Sequence, residues 1–174
     1  TNDPGQEYFA DGLTEELTHE LARFQYLSVV ASYSTIQLKN QHAGAREMAQ
    51  RLGVRFLLEG GVRRDVDTIK ISVRLIDTAT ELQVWEGQYR RELKTENLIA
   101  LQEEIAGKVA GKIGDLFGVI SLRMSRESQK KPPDSLNTYD AFLRYFHYNM
   151  CLSSESFAAA FRALEDAVAE EPEN

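Results

Sequence analysis

"EGGVRRDVDTIKISVRLID", residues 59–77, decides how this chain is read. Its second half alternates with period two. Ile69, Ile71, Val73 and Leu75 fall on one side and Lys70, Ser72 and Arg74 on the other, which predicts a strand with one buried and one polar face. Its first half closes an earlier strand, "VRFLLEGGVRR" at about 54–64, and "DVDT" is a polar turn between the two. "TATE" supplies a second turn before a third strand, "LQVWEGQYRRE". The three form an antiparallel meander. Gly60 and Gly61 ahead of Arg63 and Arg64 also raise a chemical question. A phosphate nest of the Walker kind needs its glycines between a strand and a helix, whose N-terminus adds positive charge. These glycines lie inside a strand, where glycine marks a bulge or a close backbone approach. A scaffold is therefore the favoured reading, with anion binding by Arg63 and Arg64 as the alternative.

Outward from the meander the pattern turns helical. "TNDPGQE" reads as a loop, so the chain is expected to be a piece of something longer. Asp11 is placed to cap a helix carrying Glu15 and Glu16 in its first turn, with Leu13, Leu17, Leu21 and Phe24 as one stripe. "YLSVVAS" reads as a buried strand at about 26–32, and "TIQLKNQHAG" as a connection. "AREMAQRLG" is a short helix facing inward through Met48, Ala49 and Leu52 and stopped by Gly53. After the meander, residues 97–117 form a helix in which Leu98, Leu101, Ile105, Val109, Ile113 and Leu116 stay in register. Gly107, Gly111 and Gly114 sit within it, each costing about 1 kcal/mol against alanine, and close packing on the sheet is the expected compensation. "SRESQKKPPDS" reads as a linker, and two amphipathic helices in a hairpin follow it.

The fold class is thus a mixed α/β sheet with helices packed on it, followed by an all-α hairpin. The domain boundaries are 1–120, a linker at 121–134, and 135–174. A chain of 174 residues suits one domain plus a small appendage. Its net charge of −7 argues against contact with nucleic acid, which needs a basic footprint. The single Cys151 excludes an intramolecular disulfide and a cysteine-based zinc cluster, and its helical setting predicts a buried structural thiol. His19, His42 and His147 have no metal-ligand spacing, and no catalytic grouping is visible, so no enzyme activity, metal or cofactor is expected. No signal peptide or membrane span is apparent, which leads to the expectation of a cytoplasmic protein. Trp85 reads as core, with a groove lined by Tyr89 and Tyr26 as the alternative. The polar sheet face is the one candidate surface: Arg63, Arg64, Lys70 and Arg74, with Trp85, are the candidate ligand- or partner-binding residues.

Two resemblances extend this reading. Ala160, Leu164, Ala167 and Pro172 resemble the second helix of a tetratricopeptide repeat, although bulky Tyr148 departs from the pattern in the first. "YFADGLTEEL", "VVASYST", "REMAQRLGVRFLLEGGVRR", "IKISVRLIDTATELQVWEGQY" and "LQEEIA", within residues 8–104, resemble in that order the α/β domain similar to the TolB amino-terminal domain. That domain occurs in bacterial signalling proteins between an output module and tetratricopeptide repeats. The resemblance implies a class III adenylate cyclase or a winged-helix transcriptional regulator as the output. A regulatory domain with a protein partner, or self-association as a homodimer in which subunits complete each other's sheet or repeat surface, is the accompanying expectation. The family often has serine where this chain has Gly61, and it opens with a hydrophobic strand ahead of "NDPGQEYFADG".

Overall fold

The computed structural model describes residues 4–38, 44–92 and 97–172. The chain divides into two units, Thr1–Asp115 and Leu116–Asn174. The first contains α1 (Pro4–Ala22), α2 (Ser32–Ile36), α3 (Ala45–Leu52), β1 (Phe56–Arg64), β2 (Thr68–Asp77), β3 (Leu82–Glu92) and α4 (Leu98–Gly114). The second contains α5 (Val119–Ser128), a 3-10 turn at Pro133–Ser135, α6 (Thr138–Cys151) and α7 (Ser154–Glu170).

The three strands form one antiparallel sheet in the order β1-β2-β3, as the alternating pattern requires. Ile69, Ile71, Val73 and Leu75 of β2 are all at most 3% exposed. Burying each such side chain is worth about 1.5–3 kcal/mol. They share the inner face with Leu58, Gly60 and Val62 of β1 and with Trp85, Gly87 and Tyr89 of β3. The rest of this core comes from Phe9 and Leu13 of α1 and Ile105, Ala106, Val109, Ala110 and Ile113 of α4. α1 and α4 pack closely because Gly12 lies under the Gln102 side chain, whose buried amide donates to the Phe9 carbonyl at 3.0 Å. At the far end Asp77, fully buried, accepts two bonds from the Arg55 guanidinium at 3.2 and 3.0 Å. Thr78 closes the same corner by donating its hydroxyl and its amide to the Arg55 carbonyl.

Several expectations are corrected. α1 starts at Pro4, so Asp11 lies inside the helix and does not cap it. Proline is well tolerated in a first helical turn, and the extra turns bring Phe9 into the core four residues before Leu13. Residues 27–31 take no regular structure and join no sheet, and Ser32–Ile36 is helical. Their composition gives a preference, but that does not fix pairing, and they join neither free edge of the sheet, β1 nor β3. Residues 119–128 are helical and run into the stretch 121–134 that the sequence reads as a linker. Their buried face is Ile120, Ser121, Ser125 and Ser128, and serine letters conceal a helical stripe. The hydroxyls of Ser125 and Ser128 donate to α6 carbonyls at 3.3 and 3.0 Å, so a polar seam replaces an apolar one. The buried Arg144 of α6 donates to the carbonyls of Ser128 and Lys131, at the end of α5.

The helix glycines also behave unequally. A Cβ at Gly107 or Gly111 would meet nothing, whereas one at Gly114 would strike Phe24 and Leu21. Only Gly114 answers to close packing, and it packs beside the end of α1, not on the sheet. Cys151 is exposed at the last position of α6, its Sγ 3.4 Å from Nε2 of His147. The apolar face of the helix turns away from it toward Leu143 and Phe146, so the buried-thiol expectation is overturned. Gly53, by contrast, stops α3 in the left-handed region at φ 66°, as expected.

Candidate functional site

The outer face of the sheet holds the chemistry. Strand pairing aligns its residues in rows across β1, β2 and β3. The row nearest the Asp77 corner is Leu57, Ile76 and Gln83, beside a groove of about 540 Å³ that is also lined by Arg46 and Met48 of α3. The next is Glu59, Arg74 and Glu86, one cation between two carboxylates. Arg74 donates to Glu59 at 3.1 Å, and the amides of Gln88 and Gln83 donate to Glu86 at 2.8 and 3.2 Å. Those two bonds, ahead of the pull of Arg74 and Lys70, hold the Glu86 carboxyl below the usual range. The third row is Gly61, Ser72 and Gln88, small and polar. The fourth is Arg63, Lys70 and Arg90, three cations abreast. All three are exposed, and among the described residues no ion pair joins any of them to a carboxylate.

The candidate residues therefore separate. Arg63 and Lys70 stand together in the cationic row. Arg74 shares their face but is occupied by Glu59. Arg64 pairs with Ile69 and so points to the other side of the sheet. Trp85 lies on the inner face opposite Leu75, half-buried against Gly87, where a Cβ would come within 2.6 Å of the indole. Tyr89 stands on that same face, and burial pushes its hydroxyl pKa up. Tyr26 is elsewhere, with its hydroxyl donating to the Gly114 carbonyl. Arg90 is the member that sequence reasoning missed. Counting alternate residues from Trp85 through Gly87 and Tyr89 would have placed it outward, and the strand register sets it opposite Lys70.

The neighbouring Arg91 shows what the opposite parity does. It points inward and donates to Glu104 of α4 at 2.7 Å, and Lys108 donates to the same oxygen at 2.6 Å. The Arg91 bond first, and the Lys108 bond second, lower the Glu104 carboxyl to about 2. The glycine question resolves in the same geometry. Gly60 faces inward, and a Cβ there would lie 2.7 Å from the Ser72 carbonyl oxygen. Gly61 faces outward, and a Cβ there would meet nothing. Neither has a positive φ. The pair is a close strand approach followed by an open floor, not a phosphate nest. His19 lies exposed in α1 and His147 partly buried in α6, while His42 falls outside the described residues. Among the described residues no group of histidine, cysteine and acidic side chains is arranged to hold a metal.

Residues 4–108 match the family described as "HilA/YgeH-like transcriptional regulator, second domain". The chain belongs to that family. Over 171 residues, 95% of its length, it is 30% identical to the protein named "Putative adenylate cyclase 3" from Rhizobium meliloti (strain 1021). The chain spans about 28% of the length of that relative. No solved structure matches it. The two similarities fit a signalling or regulatory module. No described helix is long and apolar enough to cross a membrane.

Proposed function

We propose that the chain is a non-catalytic sensory and protein-interaction module of a larger cytoplasmic signalling protein. Its output would be an adenylate cyclase or a transcriptional regulator. The observation that carries this reading is the outer sheet face. The first unit closes its core with the inner face alone, yet outside it concentrates cations that have no ion pair among the described residues, in a chain of net charge −7. The TolB-like assignment and the tetratricopeptide assignment of α6 and α7 belong to the same proposal. In support of the second, Ala141 of α6 meets Ala163 and Ala167 of α7 in a small-residue contact, while Phe142, Tyr145, Phe157 and Phe161 stay exposed. A repeat hairpin cannot cover its own apolar face. Regulation would follow from a partner that binds two states of the output domain with different affinity, typically worth about 1–3 kcal/mol.

Light scattering across a concentration series, for the chain alone and mixed with the output domain to which it is joined, tests the proposal. A self-associated or mixed species is expected. A chain that stays monomeric, binds no output domain and gains no stability from one sinks it, and cyclic AMP made by the chain alone would overturn its non-catalytic part. The cationic row favours one second reading, a small anionic ligand or nucleotide. At 100 times its Kd such a ligand would stabilise the fold by about 2.7 kcal/mol. Arg63→Ala should then remove that shift.

A further inference from the structure

We infer that the row Arg63, Lys70 and Arg90 docks an acidic α-helix of a protein partner, laid across the strands. The inference rests on the interaction-module reading and names the partner's chemistry.

Like charges directly opposite one another on neighbouring strands destabilise a sheet. Here Arg63 faces Lys70 and Lys70 faces Arg90, so the repulsion acts twice in one row. The same face shows how a cation is otherwise matched. Two rows away Arg74 lies between Glu59 and Glu86, bonded to the first and pulling on the second. Beyond the cations, Thr68 opposite Glu92 adds one exposed carboxylate to the face. Three cations against that one carboxylate leave this end of the face positive, open to charge from outside.

The spacing selects the ligand. Adjacent strands are about 4.8 Å apart, so the three cations stand at roughly 0, 4.8 and 9.6 Å. Residues i, i+4 and i+7 of a helix lie on one face and rise about 6 and 10.5 Å along the axis. Carboxylates at those positions would each meet one cation. Alternate residues of an extended peptide advance about 6.8 Å per step and lose register by the third contact. The intervening row of Gly61, Ser72 and Gln88 has no bulky side chain, so the helix can lie close, with polar groups beneath it. Small-molecule sites are concave. None of the cations lines the groove at Ile76 and Gln83 or the one between Val30 and Leu52, and the row is spread over an open sheet face. Nucleic acid fits less well, because three cations on an acidic chain neutralise few phosphates.

The test uses the full chain and a fluorescent alanine-based helical peptide with glutamates at i, i+4 and i+7, compared with a peptide of the same composition in which the glutamates are scattered around the helix. Anisotropy at low salt should show the patterned peptide binding about tenfold tighter than the scattered one, with affinity falling as salt rises. Lys70→Glu and Arg90→Glu should each weaken it about tenfold or more. Arg64→Glu makes the same charge change on the other side of the sheet and should weaken it about twofold at most. Lys70→Gln and Arg90→Gln provide milder variants should the reversals fail to fold. Four outcomes overturn the inference: no binding, equal binding of the two peptides, an equal loss with Arg64→Glu, or tighter binding of a single-stranded oligonucleotide. A rise in solution mass that Arg90→Glu abolishes would give the row to a second copy and overturn it too. Should peptide binding fail while the chain still complexes with its output domain, the docking inference falls and the module reading stands.

Discussion

Gly60 and Gly61 are chemically identical neighbours whose worth differs because one faces a carbonyl and the other faces solvent. A Cβ at Gly60 would lie 2.7 Å from backbone oxygen of Ser72, which cannot rotate away as a side chain would. We expect Gly60→Ala to destabilise the chain by about 1–3 kcal/mol in urea melts. Gly61→Ala should be neutral or stabilising by up to about 1 kcal/mol, since it removes glycine's entropy cost in open space. Equal effects would mean that the approach of β1 to β2 is not the constraint. At this scale the sequence reveals that a strand glycine has a reason, but not which of two adjacent ones does. Register decides that, and register depends on both flanking strands at once. Arg90 was missed for the same reason: its place beside Lys70 becomes visible only when β2 and β3 are aligned.

Elements were legible where one face is apolar throughout. The β2 alternation, the α4 stripe and the α6–α7 hairpin can each be read from letters alone. α5 was hidden because its buried face is largely serine, and residues 27–31 misled because β-branched residues state a preference without supplying a partner strand. In α4 the exposed Gly107 and Gly111 keep their full helix penalty with no packing in return. Replacing both by alanine should therefore raise stability by roughly 1–2 kcal/mol, read as a higher melting temperature. No gain would point to a role for those glycines outside the fold. The tie between β3 and α4 is pH-dependent. Glu104 titrates at about 2 in the folded chain, below its ordinary 4.5, chiefly through Arg91. A depressed carboxyl stabilises above its unfolded pKa, so this contribution is intact above about pH 5 and is lost as pH falls toward 2. Arg91→Ala should move the Glu104 titration, followed by NMR, back toward 4.5. An unmoved midpoint would remove Arg91 as the cause.

At the scale of the whole molecule, the core of the first unit is drawn entirely from residues between Phe9 and Ile113. The matched family region, 4–108, falls inside that unit. Residues 1–115 expressed alone should fold, with the emission of Trp85, the chain's single tryptophan, unchanged from the full chain. A red-shifted, non-cooperative species would show that the second unit is needed for that core to form. The sheet also carries an insertion. At Leu75/Ile76 the β2–β3 register shifts: Leu75 faces Trp85 while Ile76 faces Gln83, and Val84 is the extra residue. The pairs on either side of Val84 are those of an uninterrupted ladder, so the bulge absorbs it locally. With the Asp77 corner pinned by Arg55, deleting Val84 should leave Trp85, Tyr89 and Arg91 facing inward and Arg90 beside Lys70. The strand thus holds a residue that its neighbour never registers.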